Sequence, residues 1–185
     1  MANRSEQADT FGCNIVNAIT QSIYEKVCDG SLTLWDSQKK EISISASTLK
    51  SIEKSSGVSF DHQETVFIYE IWDQGKKEIT TQTIGFSFIH KRGTSEEVLF
   101  GYVDYKDVAD LFYKSRINTN ASGNFSATFS SVLDSKGFNY TLVQFGDRLV
   151  RTANESEDLK ISFVHGMRFN ATKLGYYPQI GRAHV

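Results

Sequence analysis

Proline is almost missing from this chain of 185 residues, with Pro178 the single instance, and cysteine is scarce at two. Neither sign of charge prevails: 20 Lys and Arg face 22 Asp and Glu, a formal net charge of -2. Each shortage excludes something. Without a basic excess there is no electrostatic footprint for nucleic acid or an anionic membrane surface. No run of about 18 apolar residues occurs, so nothing reads as a transmembrane helix. The opening MANRSEQADT is polar and lacks the apolar stretch of a secretory signal. Two expectations remain, a cytoplasmic protein or one whose export signal is missing.

Cys13 and Cys28 form no CxxC motif, and on one continuous helix they would stand about 22 Å apart. That is far beyond disulfide reach, so both read as buried or free thiols. His62, His90, His165 and His184 are scattered without zinc spacing. Neither a metal nor a cofactor is expected.

What is plentiful is aromatic: 13 Phe and 8 Tyr. An aromatic-rich, proline-poor chain favours sheet over disorder. The expected fold is α+β, with an N-terminal helix, a short second helix, a mostly antiparallel sheet and one further helix. Residues 1–9 read as a loose leader, 10–175 as a single domain, and 176–185 as an irregular tail outside the native fold.

Apolar residues at Ile15, Val16, Ile19, Ile23 and Val27 make a helical stripe, and Gly30 suits the position that ends it. Residues 32–35 and 41–45 alternate as short extended segments around a polar turn. Thr48 to Lys54, preceded by Ser47 and followed by Gly57, reads as a short helix. A three-strand meander follows: Val66 to Trp72, Ile79 to Phe88, and Val98 to Val103. Its turns are Asp73-Gln74-Gly75-Lys76 and Lys91-Arg92-Gly93-Thr94. "KDVADLFYKSRI" is a helix turning Val108, Leu111 and Phe112 inward. Beyond a loop at "NTNASGN", strands are expected near 124–132, 138–145 and 159–164, with turns at Asp134 to Gly137 and at Gly146-Asp147.

Candidate chemistry is thin. Glu64, Glu70, Asp73 and Glu78 could supply paired carboxylates. Beside Lys76 and Lys77, however, they read more simply as a solvated hairpin edge. Asp61-His62 lacks a serine or cysteine partner. Tyr69, Phe86, Phe88, Phe100 and Tyr102 alternate as core strand residues rather than as a stacking platform. Six Asn-x-Ser/Thr sites, at Asn3, Asn120, Asn124, Asn139, Asn154 and Asn170, read as chance in so Ser- and Thr-rich a chain. Trp35-Asp36 is either a binding site or a joint. A tryptophan just past a helix end is commonly a packing anchor, and a joint is expected.

The helix ending in Gly30-Ser31-Leu32-Thr33-Leu34-Trp35-Asp36, followed by a short helix and a hairpin, resembles the gliding-motility GldN (PorN) family of the Bacteroidetes type IX secretion system. There a helix ends in Gly-x-Leu-x-x-aromatic-Asp. "YEIWDQGKKEITTQTIGFSF" resembles the family's next element, with Glu70, Trp72, Asp73, Ile84 and Gly85 in matching roles. The resemblance covers residues 12–90. The turn after Trp72 is shorter than the family's and its proline-rich entry is absent. The resemblance implies a non-enzymatic periplasmic subunit that binds an outer-membrane lipoprotein, a protein partner, and builds a homo-oligomeric ring. Its structural motif here is Gly30, Leu32, Trp35, Asp36, Glu70, Trp72, Asp73 and Gly85. A second expectation is a small apolar-ligand module whose pocket is lined by Phe86, Phe100, Tyr102 and Phe112.

Overall fold

The computed structural model describes residues 15–63, 65–74, 79–92, 96–118, 126–135, 140–169 and 181–183. The protein is α+β, and every strand pair recorded among the described residues is antiparallel. The chain divides into two compact units, residues 1–67 with 85–139 and residues 68–84 with 140–185. The sequence reading takes 10–175 as one domain because no linker interrupts it. The divisions at 67/68 and 84/85 fall inside strands, where composition carries no boundary signal.

In the first unit, helix α1 (Ile15–Cys28) buries Ile19, Ile23 and Val27, the stripe read from the sequence. It ends where Gly30 takes a left-handed φ of 79°, a conformation glycine adopts without a Cβ penalty. The Leu32 amide then bonds back to the Lys26 carbonyl at 3.0 Å. Strands β1 (Leu34–Trp35) and β2 (Ser43–Ile44) are the two expected extended segments. Helix α2 (Ala46–Ser56) starts earlier than expected because Ser45, not Ser47, is its cap, accepting from the Thr48 amide at 3.2 Å. Gly57 closes it. A single 3-10 turn spans Phe60–His62.

The meander is present as β3 (Val66–Gln74), β4 (Ile79–Arg92) and β5 (Glu96–Asp104). β3 runs through Asp73 and Gln74, so the expected turn-leading aspartate is a strand residue. Within the first unit the strand order is β4-β5-β1-β2. Helix α3 (Tyr105–Lys114) follows, burying Val108 and Phe112, with Leu111 half-buried. β6 (Arg116–Asn118) and β7 (Ser126–Thr128) pair antiparallel.

The expected strand over 124–132 is only partly there. After β7 comes helix α4 (Phe129–Ser135), burying Phe129, Val132 and Leu133 at helical spacing. Thr128 and Ser131 cap its start reciprocally, each side-chain oxygen accepting from the other's amide, at 3.1 and 3.2 Å.

The second unit holds the short hairpin β8 (Gln144–Phe145) and β9 (Arg148–Leu149) around the expected Gly146-Asp147 turn. The strand expected at 159–164 is instead helix α5 (Ala153–Phe169). So three helices follow the meander among the described residues, where one further helix was expected. Residues of the expected irregular tail form β10 (Gly181–Ala183), which pairs with Glu70 to Trp72 of β3. The leader at 1–9, Cys13 and the hairpin carboxylates Glu64 and Glu78 lie outside the described residues.

Candidate functional site

The first unit's sheet has two unlike faces, and a bulge decides which side chain goes where. Gly85 pairs with Asp104, Phe86 with Val103, Ser87 with Tyr102 and Phe88 with Gly101, but Ile89 pairs with Leu99. Phe100 is therefore the extra residue on β5, and the extra residue of a bulge breaks the alternation of side chains. Gly101 beside it has φ 144°, an extended but positive angle that suits glycine. Phe100 thus faces the same way as Phe88, and both rings meet Phe60, at 5.6 and 4.9 Å. Phe86 on this inner face meets Phe112 at 5.4 Å, and Phe112 meets Phe129 at 5.4 Å.

Tyr102 faces the other way. Three of the four expected pocket residues, Phe86, Phe100 and Phe112, are inner-face core, ring packed on ring, while Tyr102 lies on the second face. The structure does not bring the four together. Counting Phe100 and Tyr102 as sharing a face assumed an unbroken period of two, which the bulge interrupts.

The second face gathers residues that the sequence did single out. Trp35 pairs with Tyr102 in register, and the Tyr102 phenol lies over Gly85. A Cβ on Gly85 would stand 2.2 Å from the Tyr102 hydroxyl and 2.5 Å from the Val103 carbonyl, so only glycine fits there. Leu34, the other residue of β1, points inward and is fully buried beside Gly101 and Ile44. Trp35 is only half-buried. Leu34 rather than Trp35 is the core anchor of this joint.

Asp36 does turn the chain. Its amide donates to the Ile42 carbonyl at 2.9 Å, and its carboxylate accepts from the Ile42 amide at 3.0 Å. Inside the loop so closed, Lys40 sends its ammonium to the Asp104 carboxylate, which Lys106 also approaches at 3.4 Å. Burial pushes the Asp104 pKa up, but hydrogen bonds from Lys40 and Tyr102 and the lysine charges outweigh it and hold the carboxyl below its usual range. A carboxylate already saturated by cations and a phenol is a poor proton acceptor. The cluster ties chain to chain.

The other motif residues act locally. Gly30 ends α1, and Leu32 is half-buried in the turn after it. Glu70 and Trp72 share one face of β3, and the indole N–H donates to the Glu70 carboxylate at 2.8 Å, both side chains being buried. Glu70 is therefore not part of a solvated hairpin edge. Carboxylates rarely go fully inside, so strand periodicity alone gave no reason to place it there.

A second polar cluster escaped the sequence reading. Glu53 of α2 accepts from the Tyr24 hydroxyl at 3.2 Å, the Ser59 hydroxyl at 3.1 Å and the Phe60 amide at 2.8 Å. Burial, then the Glu53 and Cys28 charges, push the Tyr24 phenol up to about 12. Asp61 accepts from the same Ser59 hydroxyl at 2.5 Å. Among the described residues no group of three or more His, Cys, Asp or Glu could hold a metal ion. None of their helices is long and apolar enough to cross a membrane. Compared with family models, curated proteins and solved structures, the chain matches none.

Proposed function

We propose that this protein is a non-enzymatic structural or assembly subunit acting through protein–protein contacts, in a bacterial envelope complex for secretion or gliding motility. The observation that carries the reading is a sheet edge that no strand pairs among the described residues. β2 ends the strand order of the first unit, and Ile42 beside it is 65% exposed. An edge strand with an apolar neighbour offers backbone donors and acceptors together with a side-chain anchor, the two components of strand addition. Leu99 and Tyr113 in the same unit are also exposed. The motif residues of the GldN (PorN) resemblance support the reading in a second way. Gly30, Asp36 and Gly85 close turns and accommodate packing, as a scaffold requires. On this reading the partners are an outer-membrane lipoprotein and further copies of the chain, in the periplasm.

Light scattering on the purified protein across a range of concentrations tests it. A defined oligomer that Ile42→Lys dissociates is the expected result. A strict monomer at every concentration overturns self-assembly. An oligomer indifferent to Ile42→Lys removes the β2 edge as its interface.

A further inference from the structure

Which backbone groups the β2 edge leaves free follows from the parity of its ladder. Leu34 pairs with Ile44 and Trp35 with Ser43, and the Asp36 amide donates to the Ile42 carbonyl at 2.9 Å. Hydrogen-bonded and non-hydrogen-bonded pairs alternate along an antiparallel ladder. The amides and carbonyls of Ile42 and Ile44 therefore face β1, and those of Glu41 and Ser43 face outward. Among the described residues nothing bonds these outward groups. Glu41, Ile42 and Ser43 are all exposed. The free stretch is short, because Ser45 gives its carbonyl to the Leu49 amide as α2 begins, and the chain before Glu41 turns between Ser37 and Lys40. Such an edge is too brief to template a long strand, but it can complement itself. A second copy related by a two-fold axis presents the same residues and closes the pairing.

We propose that the β2 edges of two copies pair antiparallel about a two-fold axis at Ile42. Glu41 of each copy exchanges amide and carbonyl bonds with Ser43 of the other. The two Ile42 side chains meet across the axis as a non-hydrogen-bonded pair. Charge suits this register. Helix α2 starts directly after β2 and has no acidic residue in its first turn, although the start of a helix favours one. Glu41 of the second copy, diagonal to Ser45, brings a carboxylate to that turn. The pairing rests on the assembly reading and narrows its partner to a second copy in one register.

Cysteine crosslinking on the full chain tests it, in a background where Cys13 and Cys28 are replaced by serine. Under mild oxidation Ile42→Cys alone should link two copies, because residues facing in a non-hydrogen-bonded pair have Cα atoms about 4.5 Å apart, within disulfide range. Glu41→Cys alone and Ser43→Cys alone, each diagonal to itself at about 7 to 8 Å, should link at less than about a tenth of that yield. Mixed, those two variants should link to each other, since Glu41 faces Ser43 at about 5.5 Å. If the serine background fails to fold, the native thiols are kept and the linked peptides mapped by mass spectrometry. Glu41→Lys should raise the dimer dissociation constant about tenfold, the scale of one charge lost at each of two helix starts. An unchanged constant overturns the contact with α2. Equal linking at all three positions, or linking by Ser43→Cys alone, overturns the register. No link through Ile42→Cys in a protein that light scattering shows to be an oligomer overturns the pairing and leaves the assembly reading standing. A strict monomer overturns both.

Discussion

The first unit packs two runs of aromatic rings, the half-buried Tyr24 to Phe60 to Phe88 with Phe100, and Phe86 to Phe112 to Phe129. In the second unit Ile68 is buried, and a described core cluster joins Trp72 and Leu142, with Tyr140, Val150 and Leu159 packed against them. There, polar ties stand beside the rings. The buried Ser156 hydroxyl accepts from the Leu142 amide at 2.8 Å, and Trp72 donates to Glu70. Lys160 reaches the Tyr140 carbonyl and also lies 4.2 Å from its ring centre. Ring packing tolerates no lost volume, whereas a hydrogen-bonded core depends on the exchange of single donors. The two units should therefore fail in different ways when altered.

The sharpest test of that contrast is Phe112→Ala. Phe112 is fully buried between Phe86, Tyr105 and Phe129, and truncating a buried phenylalanine costs about 3 to 5 kcal/mol. Denaturant unfolding should show that loss, with hydrogen exchange rising first in α3 and α4. Exchange rising equally in α5 would break the comparison. Next in size is Gly85→Ala, where the new methyl meets the Tyr102 phenol and the Val103 carbonyl. Overpacking of this kind costs about 1 to 3 kcal/mol. Adding Tyr102→Ala should give back part of the loss, measured as a double-mutant cycle, because the phenol is one of the two obstructions. Strict additivity would mean that the backbone contact alone excludes a side chain.

Trp72→Phe addresses the second unit. It keeps an aromatic ring but takes one donor from a buried carboxylate, a change worth about 1.5 to 3 kcal/mol. A second substitution, Glu70→Gln, should cost less when combined with Trp72→Phe than in the parent. If the two losses simply add, the indole is held by packing, and the distinction between the units narrows.

Legibility followed position along the chain rather than the division between the units. The α1 stripe, the glycine that ends it, the β1–β2 turn and the meander could all be read, because periodicity and turn chemistry agreed there. The segments over 129–132 and 159–164 read as strands but are helical, and the contrary signals were present. Phe129, Val132 and Leu133 have helical spacing, and Thr152-Ala-Asn-Glu155 is the pattern of a capping box. β-favouring Phe, Ile, Val and Thr nearby outweighed them, a case of composition misleading where spacing was the better guide. The site was half legible. Trp35, Asp36 and Gly85 were marked, but their meeting with Tyr102, Asp104 and Lys40 depends on a bulge and on contacts across 64 residues, which no local pattern encodes. Glu70 was marked and misplaced, since its burial depends on the Trp72 indole two residues on.

The smallest expected effect lies at the start of α5, and it separates capping from packing. The Thr152 hydroxyl accepts from the Glu155 amide at 3.1 Å, and the Glu155 carboxylate accepts from the Arg151 amide at 2.9 Å while pairing with Arg148. Thr152→Ala should cost about 1 kcal/mol, as a lost N-cap does. The Arg151 amide first, and the arginine side chains after it, hold the Glu155 carboxyl below the usual glutamate range despite an opposing push from desolvation. A carboxyl whose folded pKa lies below its unfolded value binds its proton more weakly when folded. Its contribution is therefore complete above the unfolded pKa and fades as pH falls through the lowered one. Thermal midpoints of the parent and Glu155→Gln should differ at pH 7, draw together as pH falls below the ordinary glutamate value of about 4.3, and meet only beneath the lowered folded value. A difference that persisted in acid would mean that Glu155 acts through its shape rather than its charge, and that the start of α5 is packed rather than capped.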